Sequence, residues 1–292
     1  MLIYININAK IYCMKIKELR KYGSINLINE DACKISKLLL MSILNVNETY
    51  LIINDENDVP IEKEQEFIKA VEKINIGYPV QYITNSQQFY GLDFYVDENV
   101  LIPQPYTEVL VENVIKIANR NENIKSILDI CTGSGAVGIS LAKFIKNVQV
   151  DLTDISIDAL AIANKNAIAN CVSKKCSFIK SDMFDNLNKK YDIIVSNPPY
   201  IETDVIKQLS KEVQNEPLIA LDGGKDGLYF YKKIANEAYK FLNSNGFLAL
   251  EIGFNQKDAV IRILEQTGEY KDIYCLKDFG KNDRVIIAQK MD

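Results

Sequence analysis

Histidine is absent from all 292 residues. That excludes Ser-His and Cys-His nucleophilic pairs and every histidine-based metal site, so no metal centre is expected. Chemistry here must run on carboxylates, amides, backbone groups, tyrosines or a cofactor. The six cysteines (Cys13, Cys33, Cys131, Cys171, Cys176 and Cys275) form no CxxC pair, and their scatter does not suggest a disulfide frame. A reduced, cytoplasmic protein is the expectation. No stretch approaches about 18 consecutive apolar residues, so no membrane-spanning helix and no membrane partner are expected. The opening MLIYININAKIYC lacks the charged start, long apolar core and cleavage site of a signal peptide. Basic charge is in short supply: 34 Lys and Arg stand against 39 Asp and Glu, a net charge of -5. Residues 1–86 carry 10 basic and 11 acidic side chains, and no run of five like charges occurs. Proteins that grip duplexes by their phosphates usually present a basic face, so direct nucleic-acid binding is not expected.

What is present is an ordinary globular mixture, 48% hydrophobic and 25% charged, long enough for one large or two modest domains. Residues 14–76 read as helical. ACKISKLLLMSIL (32–44) is strongly amphipathic, and Phe67, Ala70, Val71 and Ile74 share one face of a helix starting at Pro60. Residues 1–13 read as a leader before Met14. QFYGLDFYVDENVLIP (88–103) alternates apolar and polar residues around turn residues, which predicts a β-hairpin joining two domains. From about Glu108, strands (126–130, 148–154, 176–182, 191–197, 246–252) alternate with helices (136–145, 157–170, 227–242, 256–266), and a terminal hairpin closes the chain. Repeated βαβ units predict a parallel sheet covered on both faces, with an antiparallel edge.

ILDICTGSGAVGISLA places a glycine-rich turn between the first of these strands and its helix. Gly133 and Gly135 let backbone approach a ligand, and the helix offers free N–H groups. Asp154 ends the next strand, 19 residues after Gly135, where an acid can hydrogen-bond ribose hydroxyls. Asp182 is expected at the end of the third strand. The spacing through Gly138 approaches a dinucleotide fingerprint, which keeps a nicotinamide oxidoreductase open as a rival.

The fourth strand separates the two readings. It runs into SNPPYI (196–201). Pro198 and Pro199 fix the backbone and remove two N–H donors, leaving carbonyls free as acceptors. Asn197 adds an amide, and Tyr200 a flat face for a planar group. An amide or exocyclic amino nitrogen is a poor nucleophile because its lone pair is delocalised. Two acceptors, the Asn197 side-chain oxygen and the Pro198 carbonyl, could hold its two N–H groups and aim the lone pair at the methyl carbon of a sulfonium donor.

The NPPY and TGSG pair resembles amino-group methyltransferases of the Rossmann-like class. From about Met14 to Lys290 the chain further resembles the release-factor glutamine methyltransferases, HemK or PrmC. The matching stretches include YPVQYI, QFYGLDFYVDENVLIP, EVQNEPLIALDGGKDGLYFY, LALEIGFNQ and NDRVIIA. The resemblance implies an α/β fold: a seven-stranded S-adenosylmethionine-dependent methyltransferase sheet (107–292), a β-hairpin linker (87–106) and a small helical substrate-docking domain (1–86). It implies methyl transfer from S-adenosylmethionine to N5 of the glutamine in the GGQ tripeptide of peptide chain release factors, by a monomer. Cys131, Thr132, Gly133, Ser134, Gly135, Asp154, Asp182, Met183 and Asn197 would contact the cofactor, with Met183 covering the adenine, and Asn197, Pro198, Pro199 and Tyr200 would hold the glutamine. Three positions depart from the family pattern. IPRPDTE is here IPQPYTE, so Gln104 loses a charge and Tyr106 a carboxylate, and Cys131 stands where glycine is commoner. Glu216 reads as part of a loop wall and Glu251 as a structural acid at a strand end. A ribosomal-protein glutamine methyltransferase, a nucleic-acid amino methyltransferase and a non-catalytic adaptor remain as other readings.

Overall fold

The computed structural model describes residues 13–292, so all but the last residue of the expected leader lie outside it. The chain divides between Thr84 and Asn85 into two compact units.

The smaller unit is helical: α1 (Ile16–Asn26), α2 (Ala32–Leu44), α3 (Glu48–Ile53), α4 (Ile61–Asn75) and α5 (Val80–Thr84). The apolar stripes of α1, α2 and α4 bury Leu19, Leu39, Leu40, Phe67 and Val71 in one core. Close approach of α1 and α2 requires Gly23, because a Cβ there would lie 2.4 Å from Ser36 Oγ and 2.7 Å from the Phe67 ring. Asn45, at φ 53°, ends α2 in the left-handed conformation, and the Asn47 side chain caps α3 by accepting the Tyr50 N–H at 2.8 Å.

The larger unit begins with a short hairpin, β1 (Gln87–Phe89) and β2 (Leu92–Phe94). Tyr90 and Gly91 both have positive φ, as a two-residue type I′ turn demands. The hairpin is shorter than the 88–103 expected, and 95–104 carries no regular structure. Phe89 and Phe94 belong to the larger unit's core, so the segment read from sequence as a linker is packed into that unit.

There follow α6 (Glu108–Arg120), β3 (Ser126–Ile130), α7 (Ala136–Phe144), β4 (Gln149–Asp154), α8 (Ile157–Ala169), β5 (Cys176–Lys180) and β6 (Tyr191–Ser196). Three one-turn helices come next: α9 (Thr203–Ile206), α10 (Lys211–Gln214) and α11 (Leu218–Leu221). The chain finishes with α12 (Tyr229–Phe241), β7 (Leu242–Glu251), α13 (Lys257–Thr267), β8 (Tyr270–Lys277) and β9 (Asp283–Lys290). The expected seven-stranded sheet is present in the order β5-β4-β3-β6-β7-β9-β8. It is parallel from β5 to β7, and β9 and β8 pair antiparallel. Alternation along the strands fills two cores: Ile127, Ile193, Val195 and Ala249 face one side, and Leu128, Ile194, Leu248 and Leu250 the other. The three one-turn helices lack a long apolar period, which is why the sequence pattern did not mark them. No described helix is long and apolar enough to cross a membrane.

The order places the chain reversal between β3 and β6, opening a crevice at their carboxyl ends. The opposite ends are tied by Asp192. Its Oδ2 accepts the Lys125 and Ser126 N–H groups at 2.8 and 2.9 Å, and its Oδ1 accepts Asn243 Nδ2 at 2.7 Å. Burial alone would raise this carboxyl, but these donors, with the Ser126 hydroxyl, hold it below its ordinary value. Its contribution is therefore present at neutral pH and lost as pH falls through the depressed folded value. Asp192→Ala should lower unfolding free energy at pH 7 by about 1–2 kcal/mol. In urea titrations the gap to wild type should close toward pH 3, and a gap that stays constant would refute the assignment.

Candidate functional site

The turn after β3 is shaped by alternating backbone hand. Cys131, Gly133 and Gly135 have φ of 58°, 54° and 83°. Glycine adopts these angles without penalty, whereas Cys131 bears the strain of a side chain in the left-handed region. Asp129, 1% exposed, holds the turn from beneath. Its Oδ2 accepts the Thr132 hydroxyl at 2.6 Å and the Gly138 N–H at 2.9 Å. Gly138 has to be glycine, since a Cβ would come within 2.8 Å of that same oxygen and 3.0 Å of Leu152. From above, Asn166 of α8 donates to the Ser134 carbonyl and to the Tyr95 carbonyl, both at 2.9 Å, and accepts the Tyr95 N–H at 2.7 Å. Asn166 was missed from sequence, because nothing near it in the chain marks it as a partner of the glycine turn.

Asp154 stands at the end of β4 with its carboxylate beside the turn. Oδ2 accepts the Gly133 N–H and Oδ1 the Ser156 N–H, each at 2.9 Å. Burial raises this carboxyl despite those donors and the Ile155 N–H. Each oxygen keeps acceptor capacity toward the cavity. Asp182 lies two residues beyond the end of β5, in a loop rather than in the strand as expected, and pairs with Lys233 of α12 at 2.9 Å. Met183, at φ 52°, is buried, and its sulfur lies 3.9 Å from Cys131 Sγ. Burial pushes the Cys131 thiol far up, with Asp154 and Asp129 adding to the effect, so no thiolate forms there at neutral pH.

The NPPY turn leaves β6 directly. Ser196, fully buried, donates its hydroxyl to the Ile130 carbonyl at 2.7 Å. One cavity is lined by Cys131, Thr132, Gly133 and Ser134, by Asp154, Asp182 and Met183, and by Asn197 and Pro199. Gly135, Pro198 and Tyr200 are not among its lining residues. Gly135 is the N-cap of α7, and the Tyr200 hydroxyl points to Glu251 Oε1, 3.4 Å away. Further parts of the wall come from Pro103, Gln104 and Thr107, which precede α6, and from Ile219 of α11 and Tyr229 and Phe230 of α12.

Two buried acids frame this wall. Glu216 accepts the Ile102 N–H at 2.9 Å and is raised by burial to about 7. It joins the loop after α10 to the segment before α6, and it is not itself among the residues lining the cavity. Glu251, the last residue of β7 and fully buried, is also raised by burial to about 7. Glu251 Oε2 and Thr107 Oγ1 have no hydrogen-bond partner among the described residues. Tyr106 lies against Arg284, whose guanidinium carbon sits 4.2 Å from the ring centroid, while Arg284 also pairs with Asp278 at 3.2 Å. A cation–π contact thus stands where the family pattern places an acid. Gln104 turns its amide back onto the Ile102 carbonyl at 3.1 Å. No group of three or more Cys, Asp or Glu among the described residues is placed to hold a metal.

Residues 105–224 match the methyltransferase small domain family, and residues 18–84 match the PrmC N-terminal domain family. A release factor glutamine methyltransferase of Clostridium acetobutylicum is 38% identical, over 94% of this chain and 98% of its own. Another, from Fusobacterium nucleatum, is 38% identical over 97% of this chain and 79% of its own. Among solved structures, a methyltransferase from Pyrococcus furiosus superposes with a TM-score of 0.53 over 79% of this chain and 99% of that one. At 19% identity, that likeness is one of fold.

The Asp129 carboxyl beneath the turn is raised by burial to about 7, although the Thr132 hydroxyl and Gly138 N–H pull it down. In the unfolded chain it titrates near about 3.9. Its bound proton therefore contributes stability that is complete below about 4 and lost as pH rises through the folded value. Asp129→Asn carries no such proton. Urea unfolding should show wild type gaining on the variant by about 1–3 kcal/mol between pH 8 and pH 5. Parallel curves would place the proton elsewhere.

Proposed function

The chain belongs to the release factor glutamine methyltransferases, and from that premise we propose that it transfers a methyl group from S-adenosylmethionine to N5 of the glutamine in the GGQ segment of a peptide chain release factor, tuning translation termination. The observation that carries the reading is one cavity that reaches from the turn after β3, past Asp154 and Met183, to Asn197.

The residues present fit the cofactor. The free N–H groups expected of the glycine turn are mostly taken, Thr132, Gly133 and Gly135 donating to Thr153, Asp154 and Thr132, so what residues 131–135 offer the cofactor is close approach of backbone. Asp154 keeps acceptor capacity for ribose hydroxyls, Met183 and Cys131 give a soft apolar wall for a purine, and Asp182 stands at the same rim. When bound, S-adenosylmethionine supplies an electrophilic methyl group on a sulfonium. Asn197 then has the decisive task. Its side-chain oxygen accepts an N–H of the glutamine amide, fixes the direction of the nitrogen lone pair and favours the positive charge that builds there. The Pro198 carbonyl is the second acceptor in this scheme, Pro199 keeps the turn stiff, and Tyr200, which does not line the cavity and meets Glu251 through its hydroxyl, braces the turn. The proton leaves only as the nitrogen is alkylated and becomes acidic, so a chain without histidine lacks nothing for this reaction. The helical unit would help dock the protein substrate, and the acidic balance of the chain favours a protein over a nucleic acid. The enzyme is read as a cytoplasmic monomer.

The direct test is transfer of labelled methyl from S-adenosylmethionine to a purified release factor, beside a copy with GGQ changed to GGA. Label on the first alone is expected. Label on both would move the target elsewhere on the protein, and label on neither would redirect the search to ribosomal-protein and nucleic-acid substrates. Asn197→Ala should cost turnover about a hundredfold or more, as loss of one aligned acceptor does, while cofactor binding by calorimetry persists. Unchanged turnover would remove Asn197 from this role.

A further inference from the structure

Two stretches that mark the family, LDGGKDGL and LALEIGFNQ, line no part of the transfer chemistry described above, yet both converge on the residue that closes the reactive turn. Gly223 lies so close to that turn that a Cβ on it would be 2.7 Å from Tyr200 Cα and 2.9 Å from the Pro199 carbonyl oxygen. Gly227, at φ 66°, would put a Cβ 2.5 Å from the Tyr200 carbonyl oxygen. The backbone is laced on both sides of this contact, with Ile201 N–H donating to the Leu221 carbonyl at 3.0 Å and Gly223 N–H to the Ile201 carbonyl at 2.8 Å. The glycine loop is thus a plate pressed against the turn.

Gln256 fastens the plate to the turn. Its Nε2 donates to the Tyr200 carbonyl at 2.9 Å and to the Gly227 carbonyl at 3.2 Å, and its Oε1 accepts the Gly253 N–H at 2.9 Å. Both amide hydrogens and the oxygen are used in a site only 8% exposed. Glu251 meets the same residue at its other end. Tyr200 donates its hydroxyl to Glu251 Oε1 at 3.4 Å. Glu251 Oε2, beyond that bond, has no hydrogen-bond partner among the described residues. Tyr231 anchors the strand end itself, donating its hydroxyl to the Glu251 carbonyl at 2.9 Å.

We propose that Gln256 and Glu251 are positioning residues for methyl transfer: Gln256 fixes the Tyr200 carbonyl to the glycine loop, and Glu251 holds the Tyr200 ring by its hydroxyl. The claim rests on the assignment of the Asn197–Tyr200 turn to transfer. It assigns the end of β7 and the start of α13 to the reaction, although neither residue lines the cavity.

Gln256→Ala removes both grips, and Gln256→Glu keeps the shape while presenting acceptors to two carbonyls. Glu251→Gln keeps the shape and can turn an NH2 toward the Tyr200 hydroxyl. All three should lower kcat for release-factor methylation roughly ten- to a hundredfold, the loss expected from a small misplacement of reacting groups. Cofactor affinity should stay within about twofold, since the turn after β3 is untouched. Hydrogen exchange of the peptide spanning 197–203, measured on the enzyme alone, should speed up in Gln256→Ala while the peptide spanning 129–138 is unchanged. An unchanged kcat, an unchanged exchange rate, or a kcat that falls only in step with the folded fraction would overturn the proposal. A wild-type enzyme that leaves the release factor unmethylated would instead overturn the substrate assignment, and the exchange comparison would still decide the positioning claim.

Discussion

A single buried hydrogen bond, from the Ser196 hydroxyl to the Ile130 carbonyl at 2.7 Å, sits at the seam on which the site depends. It joins the last residue of β6 to the last residue of β3, so the NPPY turn and the glycine turn leave the sheet from neighbouring points. A donor hydroxyl shut away from water has to find a partner, and here its partner is the one carbonyl that registers the two turns. The parallel register on either side, Ile130 opposite Ser196 and Ile130 opposite Thr153, extends that alignment to Asp154.

Around that seam the larger unit commits several buried polar groups. Asp129 braces the glycine turn, Asn166 ties it to the segment before α6, and Glu216 ties that segment to the loop beyond NPPY. Asp129, Glu216 and Glu251 are each raised by burial to about 7. Such groups contribute less to stability than apolar replacements would, and they are retained where geometry has to be fixed. The common result is a set of rigid turns around a cavity, with little left to adjust when a planar amide arrives.

Much of this was legible in the chain. Strand and helix positions followed from periods of two and 3.6, and the boundaries fell within a few residues of those expected. The glycine turn, Asp154 and NPPY were legible because their chemistry is local: a positive φ, a strand end, two fixed prolines. Asp182 was placed two residues wrong because β5 ends at Lys180, just after its last apolar residue Ile179, and Ser181 and Asp182 already belong to the loop. The hairpin was read as a joint between domains, yet Phe89 and Phe94 sink into the core of the larger unit. Alternation tells which residues are buried, but not against what.

The sequence by itself determined the class of chemistry. The absence of histidine along the whole chain narrows the reactions, and the glycine turn and the acceptor-rich NPPY loop that narrow them further are each complete within a short segment. Tertiary structure decided how those segments are held. Gln256 reaches Tyr200 across 56 residues, Asn166 reaches Tyr95 across 71, and Glu216 reaches Ile102 across 114. A side-chain amide or carboxyl carries no mark of the distant backbone group it will satisfy. Its partner is chosen only when folding removes water from both and leaves each as the other's available donor or acceptor.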